Sequence, residues 1–245
     1  MSGIGTIVNV LAVIAGGMAG IIFGKKIKPE IRDSLMKTAG IAVIFVGLSG
    51  ALSGLIKISE DGKYLLTDGA LMMIISLVAG TLSGELIKIE KGLDRFGEWL
   101  KRKTGATEDK GFVAAFVSTS LVICVGAMAV VGSIEDGLKG DPTTLYAKAL
   151  LDFLIVIVMS STLGKGCIFA FIPIAIFQGG ITALSGLAEP LFSIGSVISD
   201  MSLVGNVLIT AVGINICFGK KFNVGNMLPS LVIAIIYSLV EFYIS

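Results

Sequence analysis

Stretches of about twenty mostly apolar residues follow one another along nearly the whole chain, and that is the length a helix needs to cross a bilayer. Eight stand out: Ile4–Phe23, Thr38–Ile56, Gly69–Ile87, Gly111–Ile134, Leu145–Gly164, Gly166–Ala188, Met201–Gly219 and Phe222–Val240. Lipid offers no partner for an unpaired backbone group, so each stretch must satisfy its own hydrogen bonds, as a helix does. Only 15% of the side chains are charged and 54% are apolar. Soluble domains carry roughly a quarter charged residues, so there is too little polar material here to coat a water-soluble globule. The expected fold is an all-α polytopic membrane protein of about eight transmembrane helices, forming one domain over residues 1–245. The first stretch does not read as a signal peptide, because its lysines follow the apolar run instead of preceding it.

The basic residues test that count. If the spans alternate in direction, the loops after spans one, three, five and seven hold fifteen of the nineteen Lys and Arg, and the other loops hold four. Basic loops stay on the cytoplasmic side. Both termini are therefore expected on the outer side. The segment Ile87–Lys103 sets Ile87, Leu93, Phe96, Trp99 and Leu100 at helical spacing among charges, as an interfacial amphipathic helix does. Trp99 suits an interface, and the segment reads as an anchor.

Glycines repeat at intervals of four: Gly16, Gly20 and Gly24 in span one, Gly50 and Gly54 in span two, Gly80 and Gly84 in span three. Small residues so spaced let helix backbones approach closely in lipid. They serve either packing within the bundle or a homodimer seam. Ala15–Gly20 resembles Ala79–Gly84, and Phe23–Lys26 recurs as Phe218–Lys221, which would fit a parallel 4+4 repeat; matches this short also arise by chance between glycine-rich helices.

Chemistry is narrowed by what is missing. The chain has no histidine, which removes the commonest general base and the commonest zinc ligand. Cys124, Cys167 and Cys217 lie far apart without metal or disulfide spacing and read as buried free thiols. The net charge of +1 gives no field to attract nucleic acid. No metal, cofactor or enzymatic activity is expected, beyond a bound monovalent cation.

Function must then lie with polar groups inside the apolar runs, where a carboxylate costs about 2.5–3.5 kcal/mol on insertion scales. Asp152 lies about two turns into span five. Either it works there, or it merely pairs with Lys148 one turn outward, in the weaker i,i+4 order and with a lysine able to snorkel away. Span four carries Ser118, Thr119 and Ser120 and then Gly126, Gly132, Glu135 and Asp136. Its glycines weaken the helix enough for a break near Gly126 or Gly132, as in transporters that offer helix ends to an ion. Glu135 and Asp136 read either as an outer loop end or as ligands. Pro173 and Gln178-Gly179-Gly180 are expected to kink or unwind span six. Asn9, Asn206 and Asn215 can either bind solute or hold helices together. Asp152, Gln178 and the hydroxyl cluster meeting in one cavity would suit Na⁺ or a proton.

The GTIVN motif at Gly5–Asn9, Cys124–Leu138, Gly140–Asp152, Gln178-Gly179 and Val224–Ser230 together resemble the YdfK/YqgA-type prokaryotic membrane proteins, over essentially the whole chain. That family bears a domain-of-unknown-function label. The resemblance implies the membrane fold and location, and places Gly126, Gly132, Glu135, Asp136 and Asp152 in the family signature. The expected function is a small secondary transporter or ion-conducting protein, linked to Na⁺ or H⁺ and dimeric, whose partners are lipid and a small ion or solute. The alternative is a structural or regulatory membrane protein whose polar residues serve packing.

Overall fold

The computed structural model describes residues 3–24, 28–59, 61–124, 127–185 and 196–244, with only the backbone of 29, 32, 36 and 127. It is an all-α polytopic bundle. The helices are α1 (Ile4–Gly24), α2 (Pro29–Leu55), α3 (Ala70–Ile87), α4 (Ile89–Lys103), α5 (Phe112–Cys124) and α6 (Ala127–Lys139), then α7 (Thr143–Leu163), α8 (Phe171–Ala183), α9 (Val197–Phe218), α10 (Val224–Met227) and α11 (Pro229–Ile244). Among the described residues, seven stretches, the last joining α10 to α11, are long and apolar enough to span a membrane, and α5 with α6 makes an eighth bent by 62°. The short hairpin Ile56–Ile58/Leu65–Thr67 links α2 to α3, with Ile58 opposite Leu65. Its strands, three residues each, are too short to show in the sequence pattern.

Helix directions decide whether α5 and α6 cross the bilayer or turn back. A Cβ on Gly5 would meet Leu145, one on Gly16 would meet Phe153, and one on Gly24 would meet Ser161, so α1 and α7 run parallel. With α2 and α3 each crossing once between them, α7 is parallel to α1 only if α5 and α6 together make one crossing. The ends agree: Phe112 abuts Gly166 beyond the end of α7, and Gly132 abuts Leu145 near its start. Span four is therefore a single interrupted helix.

Three glycine-lined seams hold the bundle. Gly16, Gly20 and Gly24 face Phe153, Ile157, Ser160 and Ser161 of α7; a Cβ on Gly16 would lie 2.6 Å from the Phe153 carbonyl oxygen. Along α2, Gly40, Gly47, Gly50 and Gly54 meet Cys217, Thr210, Asn206 and Leu203 in turn, so α2 and α9 run antiparallel. On α3, Gly80 and Gly84 lie on Ser230 and Asn226 of the last span. Each of these glycines has its close neighbour within this same chain. The apolar core runs between the seams through Val13, Val122, Ile123, Val156, Met159, Ile174, Val204 and Leu208.

The break expected in span four is there, at the 62° bend between Cys124 and Met128, while the others are not where the glycines point. Gly126 lies outside the described residues. Gly132 is not a break: it is helical inside α6 and makes room for Leu145 and Thr144 of α7. Nor do Gly179 and Gly180 unwind span six, because α8 continues through both to Ala183. The irregularity comes earlier, where Gly164 turns at φ +101° and a 3₁₀ turn, Lys165–Ala170, leads into α8. Pro173 sits in the first turn of α8, where a missing N–H does least harm. The sixth span was expected to reach Ala188, but α8 ends at Ala183, and residues 186–195 are not among those described.

Amphipathic α4 begins at Ile89, after Lys88 in the left-handed conformation (φ 61°); Ile87 closes α3 instead. Gly97 lets α4 sit on Val113 and Phe116, and Leu100 is buried. Trp99 stacks on Phe96 at 5.7 Å and stays half exposed.

Candidate functional site

The polar centre of the bundle forms where α1, α7 and α8 meet the end of α5. Lys148 and Asp152 are four residues apart, so both project from one side of α7. That side faces inward: Asp152 is 3% exposed and Lys148 7%. The Lys148 ammonium donates to both carboxylate oxygens of Asp152, at 2.9 and 2.7 Å, and to the carbonyl of Ile123 at 2.7 Å. Ile123 is in the last described turn of α5, just before the 62° bend into α6, and the carboxyl end of a helix carries the negative end of its dipole. A cation is the favourable neighbour there.

Asn9 joins the pair from α1. Its amide N–H donates to Asp152 Oδ2 at 2.9 Å and to Gln178 Oε1 on α8 at 3.3 Å. Asn9 and Gln178 are completely buried. Asn9 Oδ1 and Gln178 Nε2 have no hydrogen-bond partner among the described residues. Leaving such groups unpaired costs about 1–3 kcal/mol each, so an acceptor and a donor are left unused beside the charged pair.

The two acids after Gly132 are not a loose loop end. Asp136 is wholly buried, and its Oδ2 accepts the Gly5 N–H at 3.0 Å, capping the amino end of α1. A carboxylate is the favourable group at that end of a helix. Glu135 accepts the Thr144 hydroxyl at 2.7 Å, and Thr6 meets Thr182 at 3.4 Å. These contacts tie α6, α7 and α8 to the start of α1, on the same side of the bundle as Asp152.

Other candidate residues lie elsewhere. Asn206 bonds back to Ser202 on its own helix, at 2.8 Å to the carbonyl, and packs against Gly50. Asn215 fastens the turn after α9: its amide group donates to the Phe222 carbonyl at 2.8 Å, and its oxygen accepts from Lys221 and Phe222. Thr119 is buried, and Ser120 bonds to the Phe116 carbonyl at 2.7 Å. Ser120 lines an apolar cavity of ≈ 320 Å³ with Phe96, Phe116, Pro173 and Phe177. Ser118 lines a larger, more polar one of ≈ 510 Å³ with Lys37, Glu90, Asp94, Asn215 and Lys220. The hydroxyl cluster thus does not join Asp152 and Gln178 in one cavity.

A second polar knot escaped the sequence reading. Buried Glu90 accepts the Gly225 N–H at 3.1 Å, its own N–H donates to Asn226 Oδ1 at 2.7 Å, and it pairs with Lys220. That hydrogen bond, reinforced by the nearby carboxylates, holds the Lys220 ammonium above its ordinary 10.5. Asn223 donates to Glu85 at 3.1 Å. The knot fastens the basic loops after α3 and α9 at one end of the bundle.

An α-helical polytopic membrane protein with one interrupted span and a buried ion pair at the interruption is the class that fold and site define. The chain belongs to the family described as "Protein of unknown function (DUF554)", whose profile matches residues 4–239. It is 33% identical over 229 residues to the "Uncharacterized membrane protein YdfK" of Bacillus subtilis (strain 168), covering 94% of this chain and 93% of that protein. To the "Uncharacterized protein YqgA" of Escherichia coli (strain K12) it is 28% identical over 237 residues, covering 94% of each. No solved structure matches the chain.

Proposed function

We propose that this protein is a small cation-linked secondary transporter or ion-conducting protein of the prokaryotic inner membrane, working as a dimer with both termini outside. One observation carries the reading: a buried Lys148–Asp152 pair at the end of a half-helix, flanked by two buried amides with an unused acceptor and donor. Buried charge in a membrane is expensive and, where present, usually marks an ion or solute path. Interrupted helices supply such paths with carbonyls and helix ends. Asp152 is the charged group on which coupling turns, and Asn9 and Gln178 orient the guest.

The test is cation flux, Na⁺ and H⁺ measured separately, in proteoliposomes. Asp152→Asn keeps the side chain's shape while removing its charge, so flux should vanish while the size-exclusion profile stays that of a folded protein. Undiminished flux in the variant would remove Asp152 from the mechanism. The second reading, a non-transporting structural protein, draws on Lys148 holding α5 and α7 together through Ile123 and Asp152. It requires wild-type proteoliposomes to pass neither cation above empty vesicles.

A further inference from the structure

Lys148 sits where a coupling cation would be expected. Its ammonium is surrounded by the Ile123 carbonyl and both Asp152 oxygens at 2.7–2.9 Å, a set of hard oxygens at the carboxyl end of a half-helix. Carboxylate and backbone carbonyl oxygens suit hard cations, and the helix dipole favours positive charge at that position. Beside this set the Asn9 amide holds Asp152 through its nitrogen, and its buried oxygen has no hydrogen-bond partner among the described residues. The lysine stem enters from α7 itself, so the charge comes attached to the chain.

We infer that these oxygens form a monovalent-cation site whose resident cation is the Lys148 ammonium, so that the wild-type protein takes no Na⁺ there and a variant lacking the ammonium does. The inference deepens the transport reading and rests on it only for the choice of coupling ion. It removes Na⁺ from the two ions named above and leaves the proton. Among the described residues, the titratable groups facing Lys148 are Asp152 on its own helix and the Cys124 thiol on α5. From α1 and α8 come only the amides of Asn9 and Gln178, which do not titrate.

The experiment is thermal unfolding of the full chain in detergent, in NaCl, LiCl, KCl or choline chloride at constant ionic strength. Wild type should melt at one temperature in all four salts. Lys148→Met keeps the apolar stem and Lys148→Gln a polar one; each should gain a Tm rise of roughly 3–6 °C in saturating Na⁺ over choline. Lys148→Met/Asp152→Asn, which lacks the carboxylate, should gain none. Single variants that melt alike in every salt would overturn the inference, as would a wild-type rise in Na⁺ that Asp152→Asn abolishes. Variants that purify only in NaCl support it; variants that purify in no salt count against it, because Na⁺ should refill the position. These melts are independent of flux: a protein that moves no ion but binds Na⁺ once Lys148 is gone would refute transport and keep the site.

Discussion

The α1–α7 and α2–α9 seams are built alike and do different things. Both are lined with glycines whose missing Cβ lets one backbone lie on the other. In the second, Asn206 and Thr210 turn back to their own helix, and across the seam the Cys217 thiol meets the Lys37 carbonyl. In the first, Asn9 reaches across to α7 and α8, and Lys148 reaches α5. Glycine spacing makes a seam. A polar centre forms where the polar groups of the seam also reach partners on other helices.

The largest effect should come from splitting the pair that distinguishes the first seam. Lys148→Ala in choline chloride leaves Asp152 buried without its counter-charge, a loss of about 3–5 kcal/mol, whereas Lys148→Met/Asp152→Asn should recover most of it. Denaturant titration of the single and double variants checks this; a single variant as stable as wild type would mean the charges are dispensable to the fold. Next come the glycines, where the two seams should behave the same. Gly16→Ala meets the Phe153 carbonyl at 2.6 Å and Gly47→Ala the Asn206 carbonyl at 2.7 Å, both backbone atoms that cannot swing aside. Each should cost about 1–3 kcal/mol. The comparison breaks if one of them is silent.

The asparagines should then separate the seams. Asn9→Ala removes the bridge between Asp152 and Gln178 and should cost about 1–3 kcal/mol, while Asn206→Ala gives up a bond within one helix, at about 0.5 kcal/mol. Melting curves of the two variants side by side measure the difference. The smallest effect belongs to the exposed hairpin ion pair. The hydrogen bond from Lys57 holds Asp68 below its ordinary 3.8, so that stabilisation is full above pH 3.8 and fades as pH falls through the lowered value. Lys57 is held above 10.5 by the same bond, and its share fades only as pH rises beyond that. On so exposed a pair the sum stays under about 0.5 kcal/mol. Asp68→Asn should accordingly leave the melting temperature near neutral pH almost unmoved.

The seams and spans were legible because they depend on repetition. Twenty-residue apolar runs and glycines at every fourth position survive any detail of packing. Asp152 was legible as an acid inside a run, and its company was not. Nothing in the spacing of Lys148 and Asp152 says whether the lysine turns inward or snorkels out; that depends on the Ile123 carbonyl, a backbone atom on a different helix. Asp136 looked like the edge of a loop because the residues around it are polar, yet it caps α1 from a distance of 131 residues in sequence. Gly132, Gly179 and Gly180 are weak helix formers, yet all three stay helical. Gly132 makes room for Leu145 and Thr144, and α8 simply carries the Gly179-Gly180 pair. Ile56-Lys57-Ile58 is too short to signal a strand by pattern.

Proton movement through the polar centre tests the account most directly. Vesicles holding a pH-sensitive dye and reconstituted with the full chain should change internal pH when a K⁺ diffusion potential is imposed. Asp152→Asn vesicles with the same protein content should behave as empty ones. Equal responses from wild type and Asp152→Asn would contradict the claim that the buried pair at the interrupted helix is the working centre of this protein.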